Sequence, residues 1–132
     1  IDDAIERTKR YIDAGAEICF ADGIGTREEL EKFAKELSGS GAYLVANMIE
    51  GGKTPLIPAK ELEQMGFSLV FWACSAVYTI SKALYDLFGN LAQDGTTEKS
   101  LDRMIEFSQF NSMIGLDTYK EYERKYKVDR DD

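Results

Sequence analysis

The sequence predicts an α/β protein built on a short parallel sheet, and three observations predict it. Gly15, Gly41 and Gly66 each stand at the start of an apolar run, 26 and 25 residues apart by subtraction of their numbers. Each glycine follows a segment of helical periodicity, and each apolar run gives way to a polar loop. The runs are nearly continuous in apolar residues rather than alternating, as in strands covered on both faces. One strand per repeat, with a helix carrying the chain back, calls for parallel pairing.

Taken in order, Ile1, Ile5, Thr8 and Ile12, with Ala4 and Tyr11 beside them, recur at helical spacing over Ile1–Ala14. Gly15 suits the end of that helix. Ala16–Ala21 reads as the first strand and Asp22-Gly23-Ile24-Gly25 as a loop. Thr26 with Glu29 fits a capping box, the hydroxyl taking an early helix N–H and the carboxylate reaching back to the N–H of the cap residue. Leu30, Phe33, Ala34 and Leu37 form one apolar stripe on that helix, which Ser38-Gly39-Ser40-Gly41 breaks. The second strand is Ala42–Ala46. Pro58 opens a short helix to about Met65, where a missing N–H costs nothing. Gly66 ends it, and Phe67–Ala73 is the third strand. From Ser75 a longer helix carries Ala76, Ile80, Ala83, Leu84, Leu87, Phe88 and Leu91, and Gly95 stops it.

No strand candidate follows Ala73. Thr96–Asn111 reads as a helix with Leu101, Met104, Ile105 and Ser108 on one face, and Asp117–Lys127 as a charged helix carrying Tyr119, Tyr122 and Tyr126. Phe107, Phe110, Met113, Ile114 and Leu116 form an apolar patch around Ser112 and Gly115. Three parallel strands close nothing, since a (β/α)8 barrel needs eight. The expected architecture is therefore a partial (β/α)8 barrel over 1–95, its last three βα units, with a helical extension over 96–132 that packs against other subunits. Alone, such a chain exposes two sheet edges and needs a partner.

Composition narrows the function. The chain has 132 residues and a formal charge of -8, which argues against a nucleic-acid or anionic-membrane partner. It has no histidine, so histidine acid–base catalysis and histidine-ligated metals are excluded within it. Cys19 and Cys74 both lie in apolar strand-like runs and read as buried thiols of a reducing cytosol. No signal peptide is visible at Ile1-Asp2-Asp3, and the longest apolar run, Leu69–Cys74, is far below the ~20 residues that span a bilayer. A cytoplasmic protein is expected.

The chemistry collects at Ala46-Asn47-Met48-Ile49-Glu50-Gly51-Gly52-Lys53-Thr54-Pro55. There an apolar strand ends in an amide, a carboxylate, two glycines, an ammonium and a hydroxyl. Strand ends of this kind build ligand sites in α/β proteins. Asn47 offers amide donors to a carboxylate or oxyanion without burying a charge. Glu50 either joins the site or pairs with Lys53. Gly51 and Gly52 suit a gating loop, or a phosphate cradle built from backbone N–H groups. Asp22 and Ser75 stand at the ends of the flanking strands, and Trp72 reads as barrel packing.

Ala4-Ile5-Glu6-Arg7, Tyr11, Ala14-Gly15-Ala16, Phe20, the Ala46–Pro55 run, and Glu61-Leu62 with Met65-Gly66-Phe67 closely resemble the C-terminal half of the isocitrate lyase/phosphoenolpyruvate mutase superfamily. The branch is that of methylisocitrate lyase, oxaloacetate hydrolase and carboxyphosphonoenolpyruvate mutase. The likeness runs from about Ile1 to Tyr126, and Asn47–Pro55 is its most specific part. It implies a barrel that binds Mg²⁺ and a small oxo- or hydroxy-carboxylic acid and works through an enolate-like intermediate. It implies substrate contacts from Asn47, Asp22, Glu50, Thr54 and Ser75, with Asp22 standing where the family often has Glu. The family's metal-binding acids, its Lys-x-Cys-Gly-His loop and its carboxylate-binding arginine lie upstream of Ile1, so no catalytic residue and no metal ligand is assigned within this chain. Cys74 is on the wrong strand to be that cysteine.

Two functions are expected on this basis. One is the C-terminal portion of a Mg²⁺-dependent lyase, hydrolase or phosphonomutase that is inactive alone, completed by the N-terminal half of the barrel and assembled as a tetramer through its C-terminal helices. The other is a non-catalytic, self-associating half-barrel that binds a small anion.

Overall fold

A computed structural model describes residues 1–127 of the chain. It falls into two compact units, one over Ile1–Ser81 and a second from Lys82 onward. The last five residues of the expected extension lie outside the described residues.

The first unit is a three-stranded parallel sheet with helices between its strands. α1 (Asp2–Asp13) leads to β1 (Ile18–Phe20), α2 (Arg27–Glu36) to β2 (Tyr43–Asn47), and α3 (Ala59–Met65) to β3 (Phe67–Phe71). β2 lies in the middle, paired in parallel with both others. The three glycines mark the repeats as expected, and Gly15, Gly41 and Gly66 all hold positive φ. At Gly66 the need is plain: with φ at 112° it closes α3, its N–H donating to the carbonyl of Leu62. Pro58 sits one position earlier than expected, as the residue that caps α3.

Thr26 caps α2 by accepting a hydrogen bond from the Glu29 N–H at 3.1 Å. The return bond differs from the expectation. Glu29 Oε2 accepts from the N–H of Gly25 at 3.0 Å rather than from that of Thr26, because the extended cap residue turns the preceding amide toward the helix. Exposed ion pairs stitch the helices to one another: Lys32 to Asp2 at 2.6 Å, Lys9 to Glu36 at 3.4 Å, and Arg27 to Glu61. Lying in solvent, these pairs are screened and add little to stability.

The sheet corrects one expectation. Its strands are covered on one face only by the described residues. Cys19, Leu44, Ala46, Phe67 and Val70 point to the helices and join Ile5, Leu30, Phe33 and Leu62 in a single core. The other face carries Ile18, Phe20, Tyr43, Leu69 and Phe71, all exposed, around a buried Val45. A register shift between Leu44 and Val45 makes this possible: Leu44 pairs with Phe67, Val45 with Leu69 and Asn47 with Phe71. The extra residue, Ser68, rephases β3 so that Phe67 and Val70 share the covered face although they are three apart. Continuous apolar character thus reports two apolar faces, of which only one has its cover here. β1 and β3 are shorter than expected and β2 is shifted by one residue. Cys74, beyond β3, is half-buried rather than buried, whereas Cys19 is buried; both thiols are free.

α4 (Ser75–Asp94) starts and stops where expected, ending at Gly95 with φ 70°. In the second unit, the single helix expected over Thr96–Asn111 is two elements. A 3₁₀ turn (Glu98–Arg103) is followed by extended Met104, and α5 (Phe107–Met113) begins afresh. Ser100 explains the break: it is buried, and its hydroxyl accepts from Asn90 Nδ2 of α4 at 3.1 Å, which holds the turn short. α6 (Leu116–Tyr126) follows Gly115, and Tyr119, Tyr122 and Tyr126 are exposed along it.

Candidate functional site

β1 and β2 deliver their C-terminal ends side by side, and a cleft of about 380 Å³ opens there. It is lined by Asp22, Gly23, Asn47, Ile49, Gly52, Lys53 and Thr54. Larger hollows of about 790 and 440 Å³ run beside β3 and β1, lined by strand-edge and helix side chains. They are gaps beside strands with one neighbour each, whereas the strand-end cleft gathers an amide, a carboxylate, an ammonium and a hydroxyl.

Asn47 is the last residue of β2 and pairs in register with Phe71 on the open face of the sheet. Its Oδ1 is shielded from solvent and has no hydrogen-bond partner among the described residues. Such an acceptor costs about 1–3 kcal/mol unless something donates to it. Behind it the loop is anchored twice. The Met48 N–H donates to the carbonyl of Phe71 at 2.9 Å, and the Ile57 N–H donates to Met48 Sδ at 3.4 Å. Met48 itself is fully buried.

Between those anchors the chain makes a tight turn, the Gly52 N–H donating to the carbonyl of Ile49 at 3.0 Å. Gly51 holds φ 74°, and a Cβ on Gly52 would lie 3.1 Å from the Ile49 carbonyl oxygen. The left-handed turn thus calls for glycine at Gly51, and any side chain at Gly52 would crowd Ile49.

Glu50 and Ser75, expected to face substrate, are instead hydrogen-bonded to each other and are not among the residues lining the cleft. Ser75 Oγ donates to Glu50 Oε1. That bond, with a smaller contribution from Glu50's own backbone N–H, holds the carboxyl below its usual range. Glu50 Oε2 is shielded and has no partner among the described residues. The alternative pairing of Glu50 with Lys53 does not form. Lys53 takes part in no ion pair among the described residues and lines the cleft directly.

Of the site residues expected from sequence, the structure thus brings Asp22, Asn47, Gly52 and Thr54 to one cleft. Sequence reasoning passed over Lys53, Ile49 and Gly23. Lys53 was legible in principle as the one cation of the Asn47–Pro55 run; Ile49 and Gly23 become visible only when two strand ends are set side by side. Among the described residues no group of three or more Cys, Asp or Glu side chains could hold a metal ion. The described residues therefore offer no carboxylate cluster that fits Mg²⁺ by itself.

The profile of the phosphoenolpyruvate phosphomutase family matches residues 1–92. 2,3-Dimethylmalate lyase of Eubacterium barkeri is 38% identical over 130 residues, covering 98% of this chain and 44% of that protein. The chloroplastic carboxyvinyl-carboxyphosphonate phosphorylmutase of Arabidopsis thaliana is 39% identical over 126 residues, covering 96% of this chain and 36% of that protein. The crystal structure of 2,3-dimethylmalate lyase, a PEP mutase/isocitrate lyase superfamily member, superimposes with a TM-score of 0.78 at 28% identity, over 95% of this chain and 43% of that one. Oxaloacetate acetylhydrolase in complex with oxalate has the same fold, with a TM-score of 0.78 at 22% identity, covering 95% of this chain and 42% of that one. The chain spans about two fifths of the length of these relatives.

Proposed function

The chain belongs to the phosphoenolpyruvate phosphomutase family, and on that footing we propose that it forms one wall of the active site of an enzyme that cleaves or rearranges small oxo- or hydroxy-carboxylic acids, by C–C lysis in the first instance. Its sheet and helices are part of a (β/α)8 barrel. In such a barrel, active sites lie at the C-terminal strand ends. That is where Asp22, Asn47 and Thr54 converge.

The observation that carries the reading is Asn47 Oδ1, shielded at the cleft and without a donor among the described residues. A hydroxy acid supplies one through its hydroxyl, while the Asn47 amide N–H groups are suited to a carboxylate or enolate oxygen. Lys53 contributes the positive charge that a carboxylate needs, and Thr54 a further hydroxyl. Asp22 bounds the opposite wall. The part of these residues is to bind and orient; proton transfer and bond cleavage belong to groups outside the chain. Mg²⁺ is proposed to be held there too, and no step is derived through it.

The barrel is completed by residues outside this chain that cover Ile18, Phe20, Leu69 and Phe71. The C-terminal helices pack against neighbouring subunits of a tetramer, and the enzyme works in the cytoplasm. The test is to purify the protein with whatever polypeptide accompanies it and offer Mg²⁺ with 2,3-dimethylmalate, 2-methylisocitrate or oxaloacetate. Turnover of one of them, lowered about a hundredfold in Asn47→Ala, supports the proposal. A protein that self-associates, turns over none and binds no oxalate overturns it in favour of the non-catalytic half-barrel, which the open apolar face of the sheet also suits.

A further inference from the structure

Lys53 sits in a run that also contains Glu50, three residues before it on the same turn. A carboxylate and an ammonium so placed are expected to pair, and a lysine neutralised in that way is a poor receptor for an anionic ligand. The structure has a different pairing. Ser75, the first residue of α4 and 25 residues further along the chain, takes Glu50 for itself. Lys53 is left without an ion pair among the described residues, on the wall of the cleft. The turn geometry helps: left-handed Gly51 and the Ile49–Gly52 bond lie between the two charged side chains.

We infer that Ser75 and Glu50 are positioning residues: Ser75 sequesters the Glu50 carboxylate so that Lys53 stays free to receive a ligand carboxylate at the cleft. The inference rests on the proposed carboxylic-acid site for its ligand, but not for its arrangement of charges. It gives Glu50 and Ser75 a role in which neither touches substrate. It also gives the site a sign that the composition hides, a local cation within a chain of net charge -8.

The test compares wild type, Ser75→Ala, Ser75→Thr and the double variant Ser75→Ala/Glu50→Gln, in the whole protein that carries this chain. The first readout needs no ligand: the rate at which the Lys53 amine is acetylated by a mild acylating reagent, mapped by mass spectrometry. Ser75→Ala should slow it about three- to fivefold, the strength of a partly exposed ion pair. Ser75→Thr keeps the hydroxyl and should behave as wild type. The double variant should return to the wild-type rate, because the amide that replaces the Glu50 carboxylate carries no charge. The second readout is the oxalate dissociation constant by calorimetry, which should weaken and recover in the same order. A Lys53 reactivity unchanged in Ser75→Ala, or not restored in the double variant, overturns the inference. If the reactivity pattern holds while wild type binds no oxalate, the charge arrangement stands and the carboxylic-acid reading falls alone.

Discussion

The rings of Phe20 and Phe71 lie 5.7 Å apart and are tilted by 60°, spanning the open face of the sheet from β1 to β3 across Val45 of β2. They flank buried Val45 on a face whose outer strands stay open, with Phe20 still 46% exposed and Leu69 54%. Side chains of this size bury well over about 100 Å² each when covered, so the face is a strong driver of association.

The 132-residue chain by itself should therefore self-associate and bind a hydrophobic dye. Replacing Ile18 and Leu69 by Lys should shift sedimentation toward the 14.8 kDa monomer and reduce dye binding severalfold. A chain already monomeric and dye-silent before substitution would refute the idea that this face awaits a cover.

Asn47→Ala should lower kcat/KM of the complete enzyme by about 10²-fold, the order of losing one preorganised oxyanion donor. Steady-state kinetics on the best substrate decides it, and an unchanged kcat/KM removes Asn47 from the site.

Lys53→Met should raise KM several-fold with kcat nearly constant, since the lost charge serves ground state and transition state alike. The difference from wild type should shrink in high salt, because an exposed charge is screened. A kcat effect larger than the KM effect would instead place Lys53 at the reacting atoms.

Thr26→Ala should cost about 1 kcal/mol through loss of the bond to the Glu29 N–H. A lowered urea midpoint at constant m-value is the expected signature, with activity intact.

Glu50 sets a pH dependence whose sign is fixed. Its carboxyl is held below the ordinary value of 4.5 mainly by the Ser75 hydroxyl, so folding favours the ionised form. That contribution is complete above 4.5 and is lost as pH falls through the lower folded value. Melting temperatures of wild type and Ser75→Ala should thus differ near neutrality and converge in acid. Curves that stay parallel down to about pH 2 would show that the bond does not couple to the charge.

Much of the fold was legible because it rests on short-range chemistry. Glycines that end helices, the Thr26 cap and the Leu30–Leu37 stripe each act within a few residues, so their spacing betrays them. The parallel pairing of three strands followed from the same periodicity. The helix over Thr96–Asn111 misled because its periodicity is genuine while the contact that cuts it, Asn90 to Ser100, is made with another helix.

The site divides in the same way. The polar cluster that follows the second strand is a local signal that marked Asn47, Glu50 and Thr54, while Asp22 and Ser75 were named as substrate contacts through the family resemblance. Only the tertiary structure decided which of the charged groups are available. Glu50 and Ser75 lie 25 residues apart, and their bond exists because β2 and β3 are neighbours in the sheet. Only the register shift beside Ser68 decided that Leu69 and Phe71 share the open face with Asn47. Local chemistry names the residues that could act; side-by-side packing of distant strands decides which remain free to do so.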